Sequence, residues 1–104
     1  MILLDADNVA AFAQQRGWIG TGPLVAEELG GGVSNAVFRV SSETDRIVVK
    51  QSRPQLRTQK EWFSDPERIF REEAVQRLLA ERLPGSVPTV RGSDRDHFAY
   101  AMEH

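Results

Sequence analysis

Residues 29–40 read Leu29-Gly30-Gly31-Gly32-Val33-Ser34-Asn35-Ala36-Val37-Phe38-Arg39-Val40. Glycines, a serine and an asparagine sit between two apolar stretches. The segment therefore reads as a turn joining two strands, Leu24 to Leu29 before it and Ala36 to Val40 after it. Ser41 to Asp45 is a polar turn. Arg46-Ile47-Val48-Val49-Lys50-Gln51 is then a third strand, rich in β-branched residues. Connections this short favour antiparallel pairing of consecutive strands.

Upstream, Asp7 to Arg16 reads as a short helix. Val9, Ala10, Phe12 and Ala13 fall at helical spacing, Asp5 or Asp7 offers an N-terminal cap, and Gly17 stops it. Trp18-Ile19 should pack against the segments downstream of it, and Gly20 to Pro23 is a loop. This divides the chain into an N-terminal helix and linker over 1–23 and a sheet-bearing unit over 24–104. Downstream, Ser52 to Ser64 is polar and interrupted by proline, so it reads as a loop. Ser64 or Asp65, followed by Pro66 and Glu67, starts a long helix that runs to Arg82 or Leu83, where Pro84-Gly85 ends it. Ile69, Val75, Leu78, Leu79 and Leu83 form its buried stripe. Glu72 borders that stripe, whereas Glu73 lines up with Gln76, Arg77, Ala80 and Glu81 on a solvated face. Thr89 to Arg91 is a strand, Gly92 to Asp96 a hairpin loop, and His97 to Met102 the last strand. The fold class is α+β: a mainly antiparallel sheet of about five strands, one long helix and a short N-terminal helix.

The chain has 104 residues, no cysteine, and 13 Lys+Arg against 15 Asp+Glu, for a net charge of -2. That length suits one domain. An apolar fraction of 40% with 27% charged residues is that of a soluble globular protein. Without cysteine there is no disulfide framework and no Cys-based zinc or iron–sulfur site. His97 and His104 are too few for a His-rich metal site. The balanced charge argues against a nucleic-acid partner, and no apolar run is long enough for a membrane partner. Met1-Ile2-Leu3-Leu4 is followed at once by Asp5, so no signal peptide is expected and the expected location is cytoplasmic. Lys50, Arg53, Arg57 and Lys60 form a basic stretch that reads as a solvated loop. Trp18 and Trp62 read as packing residues.

Three features carry chemistry by their order. The glycine turn fits G-x-G-x-x-G-x-V except that Asn35 replaces the third glycine. Glycines let backbone N–H groups approach phosphate oxygens, and Ser34 and Asn35 add side-chain donors. Strand–turn–strand context separates it from phosphate loops that open into a helix. Lys50 ends the next strand, on the face of Val48, where a lysine could reach phosphates. Glu72 on the following helix could hold that lysine by an ion pair. Singly, each has a plainer reading: a hairpin turn, a strand-end lysine, a surface acid paired with Arg68. Together, and followed by two strands, they match the topology of a protein-kinase-like N-terminal lobe.

The chain resembles the N-terminal lobe of the aminoglycoside phosphotransferase/choline kinase-like phosphotransferases, including methylthioribose kinase-like members. The resemblance rests on residues 29–40, Val48-Val49-Lys50-Gln51, Arg68-Ile69-Phe70-Arg71-Glu72, Leu83-Pro84, Val87-Pro88 and Ala101-Met102-Glu103-His104. It implies ATP with Mg2+ as cofactors and transfer of the γ-phosphate to a hydroxyl of a small molecule. It implies that Gly30, Gly31, Gly32, Ser34 and Asn35 cradle phosphate and that Val37 covers the adenine. Lys50 would contact the α- and β-phosphates, held by Glu72. Met102 would line the adenine pocket, with backbone groups of Glu103 and His104 at the adenine edge.

The resemblance also implies a catalytic aspartate in an H-x-D-type motif and a metal-binding aspartate beyond it, both in a C-terminal lobe. Neither is in the sequence; Asp94 and Asp96 read as turn formers. The expectation is a nucleotide-binding lobe, inactive by itself, belonging to a small-molecule kinase. The alternative is a non-enzymatic α+β interaction module whose glycine-rich hairpin is only a turn. An uncovered apolar face on the sheet and long helix should lead to self-association. Light scattering should therefore find dimers or larger species; a monodisperse monomer would count against it.

Overall fold

The computed structural model describes residues 3–30, 35–52 and 68–104. Gly31, Gly32, Val33 and Ser34 lie outside the described residues, as do Arg53, Arg57, Lys60, Trp62 and the expected start of the long helix at Ser64 to Glu67. Among the described residues the order is helix α1 (Val9–Gln15), strands β1 (Val25–Gly30), β2 (Asn35–Ser41) and β3 (Arg46–Ser52), helix α2 (Arg68–Arg82), strand β4 (Val90–Asp94), a 3-10 turn (Arg95–His97) and strand β5 (Ala99–Glu103). The strands form one antiparallel sheet in the order β1-β2-β3-β5-β4. This is the α+β architecture read from the sequence, and it is consistent with a kinase-like N-terminal lobe. None of the described helices is long and apolar enough to cross a membrane.

The sheet has two covered faces, and the period of two in its strands decides which residue goes where. On one face Ala36, Phe38 and Val40 of β2, Ile47 and Val49 of β3, and Ala99 and Ala101 of β5 meet Leu4, Val9, Phe12, Ala13, Trp18 and Ile19. α1 and its flanks thus cap this face. On the other, Ile69 and Phe70 of α2 pack with Val90, Tyr100 and Met102, flanked by Val48 and Phe98. Gln51 points to the α1 face and is fully buried. Its amide accepts from Leu4 N (2.9 Å) and donates to the His97 carbonyl (3.0 Å). One side chain therefore ties the N-terminal segment to the β4–β5 connection. Such an amide stays buried because it is bonded at both ends.

α1 is capped one turn before its first residue. The Asp5 carboxylate accepts from Asp7 N and Asn8 N, and the Asp5 carbonyl accepts from Val9 N. Of the two expected caps, Asp5 is the one used. Arg16 ends the helix over the Phe12 ring (3.4 Å) and donates to Asp94 at 2.5 Å. Burial by itself would raise the Asp94 carboxyl. Hydrogen bonds from Arg16 and His97 more than offset it and hold the group below its ordinary range.

Two sequence expectations are corrected here. Gly92 to Asp94 is strand, not hairpin loop, and His97 lies in the 3-10 turn rather than in the last strand. The turn-forming composition is overridden by pairing: Gly92, Ser93 and Asp94 sit opposite Ala101, Tyr100 and Ala99. Gly92 is there because the Trp18 indole lies where its Cβ would be. The reversal falls three residues later, with Asp94 accepting from His97 N and Phe98 in the left-handed region at φ 50°. The second correction is the face of α2. Glu73, expected in solvent, is 6% exposed, whereas Val75, expected in the core, is 56% exposed. The stripe against the sheet is Ile69, Glu73, Gln76 and Ala80; Leu78, Leu79 and Leu83 are exposed. Phe70 anchors the first turn beside Phe98 and so sets the rotation of the helix.

Gly92→Ala should cost about 1–3 kcal/mol, because the added methyl must displace a packed indole; urea denaturation followed by tryptophan fluorescence measures it. For Asp94 the folded-state pKa is depressed, so its contribution is present above the unfolded value near pH 4 and lost as pH falls through the lower folded value. Asp94→Asn should thus destabilise the protein at pH 7, and the difference should shrink as pH falls below about 4.

Candidate functional site

The α2 face of the sheet carries the candidate site. β3 sends Val48 and Lys50 to this face, opposite Met102 and Tyr100 of β5, and Val37 of β2 lies across from Lys50 on its other side. A row Val37–Lys50–Tyr100–Ser93 therefore crosses the sheet. Lys50 reaches this position because alternation from the buried Ile47 and Val49 turns it away from the α1 core.

α2 stands over this row and leaves a cavity of about 620 Å³ between helix and sheet. That is within the range of small-molecule sites, roughly 300–1,000 Å³. Its walls are Lys50, Arg68, Arg71 and Glu72, with Val75, Leu79, Val87, Pro88 and Met102 as the apolar part and Gln76 between. Among the described residues its charged walls are Lys50, Arg68, Arg71 and Glu72, so cationic groups stand beside an apolar surface. This combination suits a ligand with an anionic end and an apolar end.

Lys50, Glu72 and Met102 are thus brought to one cavity. Glu73 is not on its wall: it turns inward and pairs with Arg77 at 2.8 Å. Among the described residues no ion pair joins Lys50 to Glu72. The Lys50 ammonium instead lies 6.0 Å from the centre of the Tyr100 ring, the outer reach of a cation–π contact. Gly30 closes β1 in a positive-φ conformation (120°), just past a bulge at Leu29, and Asn35 opens β2 opposite Ser52. The phosphate-cradling positions Gly31, Gly32 and Ser34 lie outside the described residues.

Glu103 and His104 face a different cavity, a polar one of about 470 Å³ shared with Asp45, Arg46 and Arg91. Their backbone N–H groups are engaged within the protein: Glu103 N donates to the Thr89 carbonyl (2.8 Å) and His104 N to the Arg46 carbonyl (3.2 Å). Arg91 is the extra residue of a bulge between Val90 and Gly92. The bulge aims its guanidinium at both oxygens of Asp45, 2.5 and 2.9 Å away. That fork holds the Asp45 carboxyl below its ordinary range.

Sequence reasoning missed Tyr100 and Gln76. Tyr100 is almost fully buried under α2, and burial pushes its phenol up to about 12, with the nearby Glu72 and Glu73 carboxylates adding to the effect. Its hydroxyl donates to Gln76 Oε1 at 3.1 Å. The one available signal was Tyr100 in the last strand, on the side of Met102.

Over 88 residues the chain is 32% identical to a methylthioribose kinase of Exiguobacterium sibiricum; the match covers 84% of this chain and 23% of that protein. The chain therefore spans under a quarter of the length of this relative. No family model matches the chain.

Tyr100 is the single tyrosine of the sequence, so its titration can be read without ambiguity. Glu72→Gln removes one of the negative charges that disfavour the phenolate, and the apparent pKa should fall. Fluorine NMR of protein carrying 3-fluorotyrosine measures it; an unchanged midpoint would place Glu72 too far from the ring to matter.

Proposed function

We propose that this chain is the nucleotide-gripping part of a small-molecule phosphotransferase that moves the γ-phosphate of ATP to a hydroxyl. The observation that carries the reading is that Lys50 and Glu72 line one cavity, on the strand and helix that come after a glycine-rich hairpin. The similarity to a methylthioribose kinase supports it independently of the geometry.

In this reading Lys50 takes the α- and β-phosphates, and Arg68 and Arg71 add positive potential at the same end. Cations placed before the ligand arrives stabilise phosphate charge without reorganisation. Met102 and Val37 flank the base, and the glycine-rich segment with Ser34 and Asn35 is the part that would cradle the phosphates. Transfer breaks the bond between the γ-phosphorus and its bridging oxygen while the acceptor oxygen attacks from the opposite side; ADP and a proton leave. The name of the similar kinase favours a sugar hydroxyl as acceptor. Among the described residues no group of three His, Asp or Glu side chains could hold a metal ion. The Mg2+ implied by the family resemblance has no fitting ligand set there.

Calorimetric titration with Mg·ATP tests the grip. The chain should bind, and Lys50→Ala should weaken binding about tenfold or more, the loss of a charge-assisted contact. Equal affinity of the two proteins would remove Lys50 from the site. No binding by the unaltered chain would leave the interaction-module reading.

A further inference from the structure

α2 is attached to the sheet unevenly. Its buried side chains, Ile69, Phe70 and Glu73, all lie in its first two turns. Beyond them no residue of the helix is fully buried, and Val75, Leu78 and Leu79 are exposed. Full apolar burial is therefore confined to the N-terminal end. What holds the rest above the cavity is a set of polar contacts from Gln76. Its Oε1 accepts from the Tyr100 hydroxyl at 3.1 Å, and its Nε2 donates to the Pro88 carbonyl at 2.6 Å, with the Met102 sulfur at 3.5 Å.

Of these partners, Pro88 and Met102 line the cavity, and Tyr100 is buried beside it. Pro88 leads into β4, and Tyr100 and Met102 belong to β5. Gln76 is four residues after Glu72, on the neighbouring turn of the same side of the helix. Tyr100 in turn sits across from Lys50 in the β3–β5 register, with the ammonium over its ring. A continuous line of contacts thus runs from the helix through Gln76 and Tyr100 to Lys50.

We propose that Gln76 is a latch: through Tyr100 and Pro88 it fixes the height of α2 over the sheet, and so sets the separation of Glu72 from Lys50 in the cavity. It is a positioning residue. Its amide is engaged within the protein, and its effect is carried by the helix that bears Glu72. The consequence for nucleotide binding rests on the proposed function of the cavity; the latch itself does not.

Hydrogen exchange read by mass spectrometry tests the latch without any ligand. In Gln76→Ala the amides of residues 76–82 should exchange about fivefold faster, as expected when one or two hydrogen bonds holding a helix segment are lost. Those of the packed first turn should be unchanged. Tyr100→Phe removes only the hydroxyl and should reproduce part of the effect, and the double variant should exchange no faster than Gln76→Ala, because the two groups act as a pair. Gln76→Glu keeps an acceptor for Tyr100, loses the donor to Pro88, and should fall between. If Gln76→Ala does not fold, the Tyr100→Phe and Gln76→Glu measurements decide the matter. Exchange in 76–82 unchanged from the parent in these variants overturns the latch.

Mg·ATP affinity then separates this proposal from the reading of the site. Weaker binding in Gln76→Ala, with faster exchange, supports both. Faster exchange in a protein that binds no nucleotide supports the latch and refutes the site. Weaker binding with unaltered exchange overturns the latch and places Gln76 in contact with the ligand.

Discussion

Everything in this fold turns on the strict alternation of β3, a strand hydrogen-bonded on both sides and covered on both faces. Ile47, Val49 and Gln51 belong to the α1 core; Val48 and Lys50 belong to the α2 face. A slip of one residue would bury the ammonium among Phe38, Val9 and Ala13 and expose the valine and isoleucine that close that core. The cost of burying an unpaired cation makes such a register inaccessible. The placement of Lys50 is therefore enforced by the packing of its neighbours. Tyr100, in register beside it, supplies a half-polar floor: an aromatic face towards the ammonium and a hydroxyl towards the helix.

Much of this was legible in the sequence. The strands around the glycine turn follow from alternation and from the turn residues between them, and Lys50 follows from the same alternation. The side of α2 was not legible, and the reason is physical. Helical periodicity finds the apolar stripe, and burial usually follows it. Here the Val75, Leu79 and Leu83 stripe borders an open cavity and solvent, while Glu73 and Gln76 turn inward. Gln76 does so because its amide finds Tyr100, Pro88 and Met102 there, while the buried Glu73 carboxylate pairs with the half-exposed Arg77 one turn along the same helix. Such partners lie mostly on distant segments and leave no local pattern. The β4–β5 connection was misplaced for a related reason. Gly92 reads as a turn residue, yet its lack of a side chain serves the Trp18 indole, whose position is set by the other end of the chain.

The Arg91 cavity and the Lys50 cavity differ in what their charges are doing. Around Arg91 the charges are spent on one another: its guanidinium is forked onto Asp45, reaches Glu103 at 3.4 Å and donates to the Trp18 carbonyl. Little potential remains for a visitor. Around Lys50 the ammonium has an aromatic ring for company and no carboxylate within ion-pair distance among the described residues. Potential directed into a partly apolar cleft attracts anions, and that difference is the physical basis for preferring the Lys50 cavity.

The bulges have a further consequence, which concerns the margins of the sheet. β1 and β4 are the two edges, and each is interrupted: β1 at Leu29, leaving Val25 to Glu28 in regular register, and β4 at Arg91, leaving Gly92 to Asp94. An edge broken into runs of three or four residues is a poor template for a strand from another molecule. The same irregularity that aims Arg91 at Asp45 thus disfavours sideways growth of the sheet.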